Sequence, residues 1–148
     1  MNDSMNTAPQ EVLLRAEHLY KNYSTGKKGR EVHAVSDVNL SIMKGETLAL
    51  VGESGCGKST LGRTLIHMLP ATSGSIYYQD MDIAAMDDKQ FKPYRRKMQM
   101  IFQDPYASLD PRMTVRNIIA EPLETYKVCA TKEETTERVL KLMDAVGI

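Results

Sequence analysis

Gly52-Glu53-Ser54-Gly55-Cys56-Gly57-Lys58-Ser59 sets three glycines, a lysine and a hydroxyl at the spacing G-x-x-x-x-G-K-[ST]. The chemistry this spacing serves is the binding of phosphate. Glycines let the backbone fold back and offer successive N–H groups to anionic oxygens with no Cβ in the way. A helix opening near Lys58 adds orphan N–H donors and the positive end of its dipole. Lys58 then reaches the β- and γ-phosphates of a nucleotide, and the Ser59 hydroxyl sits on Mg²⁺. Thr60 follows as the next phosphate contact. The alternative is a glycine-rich turn with a chance lysine, and the flanking elements weigh against it.

Those elements are a strand and a helix in the order the loop needs. Thr47–Val51 is a short apolar run of the kind that fills a buried strand. After the loop, Leu61, Leu65, Met68 and Leu69 fall at helical spacing up to Pro70. Ahead of the loop, residues 1–11 read as a flexible leader, and a strand-like segment runs from Val12 toward Leu19, Tyr20 and Tyr23. Ser24–Arg30 is a glycine-punctuated turn. Val32, Ala34, Val35, Val38, Leu40 and Ile42 then alternate roughly as antiparallel strands do, before a turn at Lys44-Gly45. The expectation is an α/β fold with a small antiparallel layer in front of a nucleotide-binding core.

Further along, Ser73-Gly74 reads as a turn and Ser75–Tyr78 as a strand. Asp87 and Asp88 cap a short helix that Pro93 divides into two turns. Met98–Phe102 is predicted as a strand ending at Gln103, and Gln103–Pro111 as a loop rich in turn formers. Val115, Ile118, Ile119 and Leu123 predict a helix. A last helix starts at a capping box, Thr131 with Glu134, carries Val139, Leu142, Met143 and Val146 on one face, and stops near Gly147.

At 148 residues the chain accommodates one domain with a core. Nineteen basic residues balance nineteen acidic ones, so no global field attracts nucleic acid or anionic lipid. The clusters Lys27-Lys28-Gly29-Arg30 and Arg95-Arg96-Lys97 read as solvated faces. No apolar run approaches the ~18 residues of a membrane span. Cys56 and Cys129 lack metal spacing, and a disulfide at Cys56 would obstruct the loop, which favours a reducing, cytosolic setting. His18, His33 and His67 are scattered and read as core or surface residues. Tyr23 could stack on a base, although its residue type alone favours packing on the sheet.

V-G-E-S-G-C-G-K-S-T, S-G-S-I and M-I-F-Q-D-P-Y-A-S-L-D-P-R-M-T-V together resemble the ATP-binding subunit of ABC importers of the dipeptide/oligopeptide class, over nearly the whole chain from Val12. The glutamine loop with its D-P-x-x-S-L-D-P continuation is much the more specific part. The resemblance implies a P-loop NTPase core, with a helical subdomain beginning near residue 112. It implies ATP and Mg²⁺ as ligands, bound by Gly52, Glu53, Ser54, Gly55, Cys56, Gly57, Lys58, Ser59 and Thr60. Gln103 would be the catalytic glutamine that contacts Mg²⁺, beside Ser59, and the attacking water. Tyr23 would be the aromatic that stacks on adenine. The partners implied are the transporter's membrane subunits, docked through the loop 103–110, and a second ATP-binding subunit, with no nucleic acid. The location implied is the cytoplasmic side of the cell membrane, held peripherally.

The 148 residues contain no L-S-G-G-Q signature, no Walker B strand ending in Asp-Glu and no switch histidine. Val139–Asp144 ends in an aspartate after an apolar run, but Lys141 and the helical spacing mark it as helix. The expectation is therefore the N-terminal part of an ATP-binding domain, truncated before the hydrolytic motifs, with a non-catalytic remnant that only binds nucleotide as the alternative. A small-molecule kinase would share the phosphate loop and leave the Gln103 loop and the antiparallel layer unexplained.

Overall fold

Two long strands, β1 (Val12–Ser24) and β2 (Glu31–Met43), form an antiparallel hairpin. In the computed structural model, residues 11–26, 29–104 and 106–148 are described, Ala107 by its backbone alone. The leader expected over residues 1–11 lies outside them except for Glu11, as do Lys27 and Lys28. The hairpin ends are tied by Thr25 N–H to the Arg30 carbonyl at 3.2 Å and by Lys44 N–H to the Glu11 carbonyl at 2.8 Å. β3 (Ser73–Tyr78) pairs antiparallel with the other side of β1, and β4 (Met81–Asp82) with β3, giving the order β2-β1-β3-β4. The small antiparallel layer is thus present, and it recruits a strand from beyond the glycine loop.

The chain divides into two units, one ending at Met100 and the other running from Ile101 to Ile148. In the first, Leu14, Ala16 and Leu19 of β1, Val35 of β2 and Ile76 of β3 pack with α1 (Lys58–Leu65) through Leu61 and Leu65. Ile83 and Phe91 complete this core. Asp87 caps α2 (Asp88–Phe91): its side chain accepts from Gln90 N–H at 2.8 Å, and the Gln90 side chain accepts from Asp87 N–H at 3.0 Å. A separate 3-10 turn, Tyr94–Arg96, follows Pro93, as the division into two turns anticipated. Arg95 pairs with Asp88, and the Lys97 ammonium lies 5.6 Å from the centre of the Tyr78 ring.

Four local expectations are corrected. Thr47–Val51 and Met98–Phe102 are not strands. A strand exists only where a neighbour completes its hydrogen-bond ladder, and among the described residues none pairs with either run. Leu48 and Leu50 are exposed, and Val51 and Ile101 are 93% and 96% exposed. α1 ends at Leu65 rather than near Pro70, because His67 turns left-handed (φ 58°). That residue's Nε2 lies 2.9 Å from the Met86 carbonyl, and its ring lies 4.4 Å from Phe91. Gly74 belongs to β3 rather than to a turn, and it must be glycine. A Cβ there would lie 2.2 Å from the His18 carbonyl oxygen, where β1 bulges.

The second unit holds a 3-10 turn at Tyr106–Ser108 and the helices α3 (Val115–Thr125) and α4 (Lys132–Ala145). Thr114 caps α3 by accepting from Asn117 N–H at 3.3 Å. Thr131 caps α4 as expected, accepting from Glu134 N–H at 3.1 Å, but the expected capping box is only half made, because the Glu134 carboxylate takes Ala130 N–H at 2.7 Å instead of the backbone of Thr131. Of the anticipated stripe only Val139 is buried; Leu142 and Val146 are exposed.

Candidate functional site

α1 begins at Lys58 behind an N-cap glycine. Gly57 is left-handed (φ 96°) and offers no capping side chain, and no acidic residue stands in the first helical turn. The first helix hydrogen bond runs from Leu61 N–H to the Gly57 carbonyl at 2.8 Å. Helical geometry therefore leaves the N–H groups of Lys58, Ser59 and Thr60 without a helical acceptor, at the uncompensated positive end of the dipole. An anion is the ligand such a terminus favours.

The loop before the helix is shaped by close contacts. A Cβ on Gly57 would lie 2.2 Å from the Ala34 carbonyl oxygen of β2. One on Gly52 would lie 2.8 Å from the Cys56 sulfur, so the loop closes on itself across these positions. Cys56 N–H reaches the Glu53 carbonyl at 3.4 Å. Lys58 Nζ bridges the loop, donating to the Gly52 carbonyl at 2.8 Å and the Glu53 carbonyl at 2.6 Å, with Cys56 Sγ at 3.5 Å. Glu53, Ser54, Gly55 and Ser59 are exposed, and Thr60 is half-buried. Thr64, fully buried, donates to the Thr60 carbonyl at 2.8 Å and so anchors the first turn to the core.

An open cleft of about 420 Å³ lies beside the loop, walled by Ala34, Val35 and Val38 of β2, by Leu50 and Val51, and by Gly57 and Lys58. Residues 52–60 are thereby brought together. Tyr23 lies in the same unit, opposite Val32 near the C-terminal end of β1, next to the connection to β2. It is 38% exposed rather than packed into the sheet, with the Lys21 ammonium 5.1 Å from its ring centre. Gln103 belongs to the second unit, where it is exposed just before Asp104 accepts Tyr106 N–H at 3.1 Å. Past the 3-10 turn, Asp110 takes Arg112 by N–H and guanidinium at 3.0 and 2.8 Å, and these contacts hold its carboxyl below the usual carboxylate range. Both cysteines are free thiols.

Two contributors escaped sequence reasoning. Ala34 carries no chemical signal, since it acts through a backbone carbonyl. Thr64 was legible only as a polar residue on the apolar side of a short helix, three after Leu61 and one before Leu65 of the stripe.

The family model described as ABC transporter matches residues 35–148. The chain is 48% identical over 139 residues to the oligopeptide transport ATP-binding protein OppF of Bacillus subtilis (strain 168), covering 93% of this chain and 45% of that protein. It is 44% identical over 144 residues to the dipeptide transport ATP-binding protein DppF of Escherichia coli (strain K12), covering 94% and 42%. The chain thus spans less than half the length of these curated relatives. Among solved structures, the ATP-binding cassette MJ0796 in a dimeric post-hydrolysis state bound to ADP and Pi superposes with a TM-score of 0.74 at 27% identity, over 88% of this chain and 56% of that one. cbiO1 from Clostridium perfringens, part of the ABC transporter complex cbiONQ, gives 0.71 at 28%, over 94% and 52%.

Proposed function

Because this chain belongs to the ABC transporter family, we propose that it is the nucleotide-binding part of an ATP-binding, energy-coupling subunit of a peptide importer. The observation that carries the proposal is the helix terminus at Lys58, capped by a side-chain-free, left-handed Gly57 and preceded by a loop that a Cβ would obstruct. The peptide class is supported by the names of the relatives at 48% and 44% identity, an oligopeptide and a dipeptide transport ATP-binding protein.

In this reading the N–H groups of residues 52–60 cradle the β- and γ-phosphates of ATP. An ammonium has three donors. Lys58 exchanges its carbonyl partners for phosphate oxygens, and those oxygens are the stronger acceptors because they are charged. Ser59 would be the hydroxyl ligand of Mg²⁺ and Gln103 the ligand that the family resemblance adds, and the ion would supply positive charge to the phosphates. Gln103 also orients the attacking water, and Tyr23 offers its exposed ring to adenine. The loop 103–110 receives the membrane subunits, a second ATP-binding subunit completes the assembly, and the chain works at the cytoplasmic face of the membrane. Among the described residues no helix is long and apolar enough to cross a membrane, so attachment in this reading is through those partners.

The test is thermal unfolding with and without Mg-ATP. A ligand at about 100 times its Kd stabilises by about 2.7 kcal/mol. The wild-type unfolding temperature rises and Lys58→Ala abolishes most of the rise. An equal rise in both proteins removes the assignment.

A further inference from the structure

β1 and β2 each place two core residues three positions apart where plain alternation would place them two apart. These are Ala16 and Leu19 in β1, and Val35 and Val38 in β2. Each spacing is absorbed by a bulge. Between the pairs Ala16↔Leu40 and Leu19↔Val38, β1 carries one extra residue; between Leu19↔Val38 and Lys21↔Val35, β2 carries one. The two insertions cancel, so the strands leave the irregular zone in the register in which they entered it.

Each bulge contains a non-glycine residue in the left-handed region, His18 (φ 47°) and Asp37 (φ 49°). Both side chains belong to residue types that tolerate that region, but tolerance alone does not choose a conformation. Three hydrogen bonds lock the two bulges to one another. His18 Nδ1 lies 2.8 Å from Asp37 Oδ1, His18 N–H donates to Asn39 Oδ1 at 2.8 Å, and Asn39 Nδ2 donates to the Asp37 carbonyl at 3.2 Å. Gly74 of β3 closes against the same place, where any Cβ would strike the His18 carbonyl.

Three residues before Asp37, β2 shifts register once more, between Lys21↔Val35 and Asn22↔His33, which leaves Ala34 without a partner on β1. The carbonyl of that residue is the group facing Gly57 across the closest approach in the phosphate loop. We propose that the His18–Asp37–Asn39 lock is a positioning device for the phosphate loop: by fixing the β2 bulge it fixes Ala34, and through Ala34 the conformation of Gly57. A slip of one residue along the ladder moves a strand by ~3.3 Å and turns its side chains to the other face. That displacement would take the Ala34 carbonyl away from Gly57 altogether. These residues do not touch nucleotide; they act through the β2 backbone. The inference rests on the reading of residues 52–60 as a phosphate site.

The test uses the chain with Asp37→Val, Asp37→Gly and Asn39→Ala, read two ways: Mg-ATP dissociation constant, and backbone amide exchange without nucleotide. Valine cannot hold the left-handed conformation cheaply, whereas glycine holds it freely. Asp37→Val is expected to weaken Mg-ATP binding about tenfold and to speed exchange at residues 52–57, with the β1–β3 ladder at residues 14–17 still protected. Asp37→Gly keeps the left-handed backbone but loses the contact with His18, so it moves both readouts in the same direction by less than Asp37→Val does. Asn39→Ala, which removes two of the three bonds without straining the backbone, falls between them and covers the case in which Asp37→Val does not fold. Unchanged binding and exchange in Asn39→Ala overturns the proposal, as does an Asp37→Gly variant that behaves as wild type on both readouts. Should the wild-type chain bind no Mg-ATP, the phosphate reading fails, and the exchange pattern still decides whether the lock positions the loop.

Discussion

Adding one methyl group at Gly57 should damage this protein more than adding one anywhere else in the glycine loop. The Gly57 backbone sits at φ 96°, beyond the small left-handed well that other residues can enter, and a Cβ there would lie 2.2 Å from a backbone oxygen. That oxygen cannot rotate aside as the end of a side chain would, so β2 or the loop must move by about an ångström or more. Left-handed geometry costs an L-residue ~1–2 kcal/mol, and forcing extra volume into a filled space ~1–3 kcal/mol. Their sum, about 2–5 kcal/mol, is a large fraction of a stability of order 5–15 kcal/mol. Gly55→Ala is the control, because φ is 81° there but nothing lies within 4 Å of the added Cβ, so only the conformational cost of ~1–2 kcal/mol applies. Gly62→Ala, in open space within α1, should have the opposite sign and stabilise by about 0.5–1 kcal/mol. Urea unfolding followed by circular dichroism and by tyrosine fluorescence gives the three values, provided the two transitions coincide. A Gly57→Ala loss no greater than that of Gly55→Ala would refute the claim that the Ala34 carbonyl shapes the loop.

Two further predictions concern the second unit. Asp110 titrates below the ordinary carboxylate range because Arg112 bonds its charged form, so its contribution to stability is present above the unfolded-state pKa near ~3.9 and is lost as pH falls through the lower folded value. Carboxyl-carbon NMR should show the midpoint rising toward the ordinary value in Arg112→Gln, and an unmoved midpoint would discard the pairing. Thr131→Ala should cost α4 about 1 kcal/mol by orphaning Glu134 N–H, whereas Thr131→Ser should cost little. Equal losses in denaturant unfolding of the two variants would assign the effect to the threonine methyl rather than to its hydroxyl.

The parts that could be read from the sequence are those whose causes lie close together along the chain. The glycine loop of residues 52–59 is one continuous stretch whose residue types and spacing can be read together. The caps at Asp87 and Thr131 depend on residues three positions away, and both side chains cap as expected, although the box at Thr131 is only half made. The end of α1 did not, because the left-handed turn at His67 is held from Met86 and Phe91, far along the chain. Gly74 looked like a turn residue because glycine is a turn former; its actual reason is a carbonyl of β1, 56 residues earlier, at His18.

Thr47–Val51 shows the same division within the site itself. Its composition is that of a buried strand, yet a strand is a relation between two segments, and among the described residues this run has no ladder partner. The glycine loop that follows keeps its shape all the same, and the reason is visible in its contacts. Lys58 ties the loop carbonyls of Gly52 and Glu53, Thr64 ties the first helical turn to the core, and Ala34 abuts Gly57 from β2. The glycine loop therefore draws its contacts from within itself, from the antiparallel layer and from α1. The contact from Ala34 makes the bulges of β1 and β2 a place to look for control of the loop's geometry.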